Sequence, residues 1–132
     1  ADYDALVPLA RRKGLVLIDD AAHALGASCG GVPVGAIADI TTFSTHPVKP
    51  VTTGEGGVLV TNRLAYAQAA RTFRNHGIAS DARARELRGD WHYAMETLGY
   101  NYRIPDILCA LGLSQLAKLA GWQARRAAIA QQ

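Results

Sequence analysis

The sequence predicts an α/β fold: a mixed, mostly parallel sheet in three layers. Three observations predict it. Short apolar runs of strand length occur at Leu15–Asp19, Asp39–Ser44 and Gly57–Thr61. The first of them is apolar on both faces, as expected when helices cover a sheet from each side. Segments with helical spacing precede and follow these runs.

Taken in order, Asp4 to Lys13 reads as a helix ended by Gly14, with Arg11, Arg12 and Lys13 where a helix C-terminus favours cations. Pro8 fits that helix poorly unless it begins late, because proline has no N–H to donate. Leu15–Asp19 is the first strand, Gly30-Gly31-Val32-Pro33 a turn, Asp39–Ser44 the second strand and Gly57–Thr61 the third. Asn62 is positioned to cap an Ala-rich helix that runs to about Asn75 and stops before Gly77. From Ile78 to Leu98 the pattern dissolves into charged and aromatic residues, Trp91, His92 and Tyr93 among them, and a connection that long is usually a functional loop. Gly99-Tyr100-Asn101-Tyr102 is turn-like. Pro105 suits a first helical turn and Asp106 the positive end of that helix. The helix is expected to continue toward the C-terminus, with an apolar stripe through Ile104, Ile107, Leu108, Leu111, Leu113, Leu116 and Ala120.

With 132 residues, 49% hydrophobic and 19% charged, the chain fits one globular domain able to bury about two thirds of its unfolded surface. No apolar run approaches the ~18 residues of a membrane span, and no secretory signal opens the chain, so a cytoplasmic location is the default. It starts without methionine and is still helical in composition at Gln132, which reads as a fragment. The net charge of +3 comes from 14 basic and 11 acidic residues, dispersed where a nucleic-acid footprint needs a continuous stripe. Cys29 and Cys109 are too few and too far apart for a zinc site, and are expected to be buried fillers or bystanders.

Two segments carry the chemistry: Ile18-Asp19-Asp20-Ala21-Ala22-His23-Ala24, and Thr42 through Gly57. Each sets an ionisable residue, Asp20 or Lys49, after an apolar run that reads as a buried strand, where open α/β sheets place their ligands. A lysine amine can condense with the aldehyde of pyridoxal phosphate, and an aspartate beside the pyridine nitrogen keeps it protonated so that the ring withdraws electrons. At about 4 Å and an effective dielectric of about 20, a carboxylate and a pyridinium attract by roughly 4 kcal/mol. That is about three pKa units, enough to hold a weakly basic ring nitrogen protonated at neutral pH.

Each residue also has a plainer role open to it. Lys49 could be a solvated loop lysine, although Pro47 and Pro50 stiffen its loop on both sides. Asp20 could simply cap a helix, and Asp19 competes with it. His23, three residues on, could touch a cofactor or be a satisfied core histidine. Ser44, five positions before Lys49, could donate to a phosphate or be an ordinary strand-end serine. A metal site on Asp20, His23 and His46 is disfavoured because nothing places His46 beside the other two. Gly54-Glu55-Gly56-Gly57 leads into a strand and lacks the spacing of a nucleotide loop, so it reads as a tight turn.

Asp20-Ala21-Ala22-His23-Ala24-Leu25-Gly26, Ser44 through Gly57 and Gly99 through Ile107 together resemble, in order, the DegT/DnrJ/EryC1/StrS sugar aminotransferases. The run Ala110 to Leu116 and the Trp91-His92-Tyr93 segment look most like the subgroup that aminates C4 of UDP-4-keto-6-deoxy-N-acetyl sugars en route to pseudaminic acid. The resemblance implies the type I fold of pyridoxal phosphate enzymes, with residues 1–132 forming part of the large domain and leaving out an N-terminal part and a small C-terminal domain. It implies that Lys49 is the Schiff-base lysine, that Asp20 pairs with the pyridine nitrogen, that Ser44 contacts the cofactor phosphate and that His23 lies near the ring. It further implies that Asn101 reaches the phosphate in a neighbouring subunit's site, hence a homodimer, with L-glutamate as amino donor and a nucleotide sugar as acceptor. Thr45 stands where the family usually has an aromatic residue. A sugar dehydratase of the same family is the nearest rival, but such enzymes carry histidine at the lysine position. A noncatalytic interaction piece is the rival from another class.

Overall fold

The computed structural model describes residues 1–80 and 82–132. The chain divides into two compact units, residues 1–62 with 104–132 and residues 63–103.

The first unit opens with helix α1 (Tyr3–Arg12), whose N-cap Asp2 accepts a hydrogen bond from the Ala5 N–H through Oδ1 at 3.1 Å. The helix starts early and carries Pro8 in its interior, so the Asp4 carbonyl has no helical N–H to accept from. Gly14 follows in the left-handed region, with φ of 63°, and ends the helix as expected.

Strands β1 (Ile18–Asp20), β4 (Ile40–Ser44) and β5 (Gly57–Val60) form a sheet in the order β1-β4-β5. β1 runs parallel to β4, with Ile18 opposite Ile40 and Asp20 opposite Thr42. β5 runs antiparallel to β4, with Ser44 opposite Gly57. The sheet is therefore mixed, as expected, but not mostly parallel: the turn after the Lys49 loop returns the chain directly against β4, and a direct return can only pair antiparallel. β1 is also shorter than expected. Leu17 lies outside it, yet its N–H donates to Asp39 Oδ2 at 2.9 Å and its carbonyl accepts from the Asp39 and Ile40 N–H groups. Ile18 is 64% exposed, so the apolar run at β1 is not covered on both sides by the described residues.

Gly30 and Gly31 form the expected turn, and it closes a small antiparallel hairpin of β2 (Ser28–Cys29) and β3 (Val32–Pro33). Both glycines have positive φ, 56° and 79°, as a two-residue hairpin loop requires. Cys29 is exposed and Cys109 half-buried, both free, so of the two roles expected Cys29 takes that of a bystander.

The core of this unit is small: Ala10, Ala21, Phe43 and Val51, together with the buried threonines Thr41, Thr45 and Thr53. Along β4 the buried side chains are Thr41 and Phe43, while Ile40, Thr42 and Ser44 are half-buried, the period of two set by the pleat.

Helix α4 (Asp106–Leu116) follows Pro105, which occupies the N-cap instead of the first turn. The helix does not run unbroken to the C-terminus. It ends at Ala117, and α5 (Leu119–Ala130) begins after Lys118. The expected stripe is also misplaced: α4 turns Gly112 inward and leaves Ile107 79% and Leu113 71% exposed. Apolar residues surround this helix, so spacing alone does not mark its inner face.

In the second unit, α2 (Leu64–Arg74) has Arg63 at its N-cap with no side-chain cap bond, so Asn62 does not cap it. The 78–98 stretch is not wholly irregular, because it holds a short helix, α3 (Ala82–Leu87). Asp81, in the same stretch, lies outside the described residues. The Arg85 guanidinium stacks over the Tyr93 ring at 4.8 Å. Gly99 to Tyr102 is not a turn. Its backbone lies along the end of α2, with Tyr100 N–H donating to the Phe73 carbonyl at 2.7 Å, Tyr102 N–H to the Arg74 carbonyl at 3.0 Å and Asn101 bridged to Asn75. Phe73, Tyr100 and Tyr102 pack edge-on and stacked beside it. Among the described residues no helix is long and apolar enough to cross a membrane.

Candidate active site

β1 and β4 are parallel, so their carboxyl ends, Asp20 and Ser44, meet the same edge of the sheet. Register assigns the two neighbouring aspartates to opposite faces. Asp20 pairs with Thr42 and so shares a face with Ser44, whereas Asp19 pairs with Thr41 on the side of the buried Phe43. Asp19 is already committed there: its Oδ2 accepts a 2.6 Å hydrogen bond from the Tyr3 hydroxyl. That bond, burial and the carboxylate charge of Asp19, with a smaller contribution from Cys29, push the Tyr3 phenol up to about 12. Asp20 is exposed and accepts only from the Ala22 N–H, through Oδ1 at 3.1 Å, among the described residues.

The backbone after β1 turns at Ala21 to Ala24, where the Ala24 N–H donates to the Ala21 carbonyl at 2.9 Å. This turn carries His23 to the surface, so it is not a core histidine. His23 Nε2 lies 2.7 Å from Lys49 Nζ.

Lys49 is held by a loop that is stiff for physical reasons. Pro47 and Pro50 restrict its backbone, and the Lys49 N–H donates to the His46 carbonyl at 3.0 Å. Beneath it, Thr53 has one hydroxyl proton and donates it to the Glu55 carbonyl at 2.8 Å. Thr45 must therefore be the donor in the buried 2.7 Å contact between the two threonine hydroxyls. Thr52 Oγ1 donates to the Thr45 carbonyl and accepts from the Gly54 N–H, closing the loop at its base. The residue at 45 is thus a buried hydrogen-bonding member of the loop. Gly56, with φ of 148°, leaves no room for a Cβ against Thr45, Thr53 and Ile104, so the glycines here serve a tight turn. Ser44 accepts from the His46 N–H at 3.3 Å, which leaves its own hydroxyl proton to donate elsewhere. His46 faces away toward Glu55, at 3.9 Å. Among the described residues no three His, Cys, Asp or Glu side chains cluster as metal ligands.

Of the residues singled out from sequence, the structure thus gathers Asp20, His23, Ser44 and Lys49 at one sheet edge of the first unit. Asn101 belongs to the second. Sequence reasoning expected helix in this region but did not connect the α5 residues with the site. Gln123 Nε2 donates to the Leu25 carbonyl at 3.3 Å, bringing α5 onto the His23 turn, and Trp122, Arg125 and Arg126 border the Lys49 loop. The available signal was the i, i+3, i+4 spacing of those three residues, which puts them on one helix face.

Residues 1–132 match the family described as the DegT/DnrJ/EryC1/StrS aminotransferase family. The chain belongs to that family. It is 44% identical over 118 residues to a UDP-4-amino-4,6-dideoxy-N-acetyl-beta-L-altrosamine transaminase of Campylobacter jejuni, a match covering 89% of this chain and 30% of that protein. Its fold is similar to that of Helicobacter pylori PseC, an aminotransferase involved in the biosynthesis of pseudoaminic acid, with a TM-score of 0.81 and 32% identity over 91% of this chain and 30% of that one. It is also similar to the putative sugar aminotransferase Spr1654 of Streptococcus pneumoniae in its PMP form, with a TM-score of 0.87 and 32% identity over 99% of this chain and 38% of that one. The chain spans about a third of the length of these relatives. The family is one of pyridoxal phosphate-dependent sugar aminotransferases, and Spr1654 is also known in a PLP form.

Proposed function

We propose that this chain carries the cofactor-anchoring centre of an aminotransferase that moves the amino group of L-glutamate to a nucleotide-linked 4-keto-6-deoxy sugar. The observation that carries the reading is Lys49 Nζ resting on His23 at the sheet edge where Asp20 ends β1. These residues fit pyridoxal phosphate, which when bound supplies an electron-withdrawing ring that stabilises negative charge at the substrate's reacting carbon. Lys49 would hold the cofactor through Nζ, and the same nitrogen would serve to move a proton during amino transfer. Asp20 keeps a carboxylate oxygen for the ring nitrogen, since only Oδ1 is engaged among the described residues. Ser44 donates its free hydroxyl proton to the phosphate, and His23 lies near the ring.

Asn101 is assigned to the phosphate in a neighbouring subunit, which makes the enzyme a homodimer with shared sites. We place residues 1–132 in the three-layer large domain of that enzyme, consistent with the exposed Ile18 on β1 and Val58 on β5. The sugar assignment follows the name of the 44%-identical relative, a transaminase for a UDP-linked 4-amino-4,6-dideoxy sugar.

Borohydride reduction after incubation with pyridoxal phosphate, followed by peptide mapping, tests the anchoring role. Label is expected on Lys49 and on no residue of a Lys49→Ala variant. Undiminished labelling of that variant would sink the assignment. Asp20→Asn is expected to retain the label while slowing amino transfer at least a hundredfold, because the neutral amide loses the attraction of roughly 4 kcal/mol that holds the ring nitrogen protonated.

A further inference from the structure

We propose that Gln123 of α5 is a positioning residue: by fixing the turn that carries His23, it sets how freely the Lys49 amine reacts. The inward face of α5 is narrow. Leu119, Trp122 and Gln123 are half-buried at i, i+3, i+4 spacing, and the rest of the helix is exposed. Gln123 is the donor on that face that meets the turn, its Nε2 reaching the Leu25 carbonyl at 3.3 Å. Gly26, the next residue along the turn, has φ of 84° and no side chain, and a Cβ there would collide with the Gln123 amide. The amide occupies the place that a side chain at 26 would need. Helix and turn therefore meet through two separate features, a hydrogen bond and a close approach.

The turn needs a tie of this kind on its outer side. Its first residue is secured to the sheet, because the Ala21 N–H donates to the Thr42 carbonyl at 2.9 Å. Beyond Ala21 the turn bonds to itself, with the Ala24 N–H on the Ala21 carbonyl and the Ala27 N–H on the Ala24 carbonyl, both at 2.9 Å. Bonds of that sort fix the shape of a turn but not where it stands relative to the Lys49 loop. Gln123 reaches it from 98 positions away, two residues past His23. Trp122, its neighbour on the helix, lines a cleft with Pro47, Lys49 and Pro50. One helix face is thus set against both segments joined by the 2.7 Å contact between His23 Nε2 and Lys49 Nζ. That contact tolerates little movement, since a displacement of about 1 Å carries it beyond hydrogen-bonding range. Loss of the Gln123 bond therefore shortens the time Lys49 spends on His23. The consequence for amino transfer rests on the reading of Lys49 given above, whereas the coupling of Gln123 to the amine does not.

The test is made without cofactor on Gln123→Met, which keeps the length of the side chain and removes its donor. Brief acylation with peptide mapping, using the exposed Lys13 as internal reference, is expected to show Lys49 modified about two- to fivefold faster, the range set by losing at most one neutral hydrogen bond. The same substitution in a His23→Leu background is expected to add nothing, because the restraint it acts through is already gone. Nitrogen-15 NMR of the imidazoles separates positioning from loss of structure. The His23 signals, assigned by their absence from His23→Leu, are expected to move from a tautomer with Nε2 bare toward the mixture of a free imidazole, with His46, His76, His92 and the far-UV circular dichroism unchanged. If Gln123→Met does not fold, Gln123→Glu, which has the shape of the amide and no proton to donate at neutral pH, carries the same expectations. An unchanged Lys49 rate overturns the proposal, as does an unchanged His23 ring or an equal acceleration in the His23→Leu background. Borohydride labelling of Lys49 with pyridoxal phosphate is separate from these readouts: label with an unchanged rate defeats only the role of Gln123, and a changed rate without label defeats only the cofactor reading.

Discussion

Lys49 Nζ lies 2.7 Å from His23 Nε2, although 26 positions separate the two residues in the chain. An ammonium has only donors, so with Lys49 as the donor the bond requires the His23 tautomer whose Nε2 is bare. A doubly protonated imidazole has no lone pair to offer and would repel the ammonium. His23 thus restrains the lysine amine in this structure. Replacing His23 with Leu removes a bond of about 1 kcal/mol, which is roughly fivefold in the population of free Lys49. Brief acylation with peptide mapping should show Lys49 modified severalfold faster in His23→Leu; an unchanged rate would mean that the contact does not restrain the amine.

Thr41 and Thr45 both lie buried in the first unit, but their hydroxyls have opposite fates. Thr45 donates to Thr53, whereas Thr41 Oγ1 has no partner among the described residues. The near-isosteric change to Val should therefore act in opposite directions. Thr45→Val leaves Thr53 without its donor and should cost about 1 to 2 kcal/mol, while Thr41→Val removes an unsatisfied hydroxyl and should stabilise by about 1 kcal/mol. Denaturant midpoints of the two variants check the sign of each.

Gly112 is the one buried residue of α4, and a Cβ there would stand 2.9 Å from Thr53 Cγ2. Thr53 is too short and too firmly hydrogen-bonded to move aside. Gly112→Leu should lose about 1 to 3 kcal/mol through overpacking, despite the better helix propensity of leucine. Because Thr53 anchors the Lys49 loop, cofactor labelling should fall in the same variant. Urea denaturation and labelling yield, measured together, check this.

The Tyr3–Asp19 bond makes stability sensitive to high pH. The phenol is raised from 10 to about 12 in the folded chain, so folding favours its protonated form. Its contribution is fully present below pH 10, declines between pH 10 and about 12, and is absent above. Tyr3→Phe should flatten the stability profile in that window and remove a step near pH 12 from the tyrosinate absorbance titration. A profile unchanged by the substitution would contradict the assignment.

Local signals carried much of this. Gly14, Gly30 and Gly31 marked real backbone reversals because positive φ is cheap only for glycine. The apolar runs located all three strands of the sheet, with no end off by more than three residues. Asp20 and Lys49 stood out because an ionisable residue after a buried strand is conspicuous in any sequence. The antiparallel return of β5, the inner face of α4 and the exposure of Cys29 were not legible. Each depends on what packs against the element, and α4, apolar on every side, carries no periodic mark of its buried face.

Residue types and their order in the chain determined which groups could do chemistry here: one amine on a proline-stiffened loop, and one carboxylate after a strand. Pairing register put Asp19 and Asp20 on opposite faces, since a shift of one residue along a strand changes the face a side chain occupies. Only the tertiary structure brought His23 to Lys49 and α5 to both, because contacts across 26 and 98 positions are set by the packing of distant segments, which no local pattern encodes.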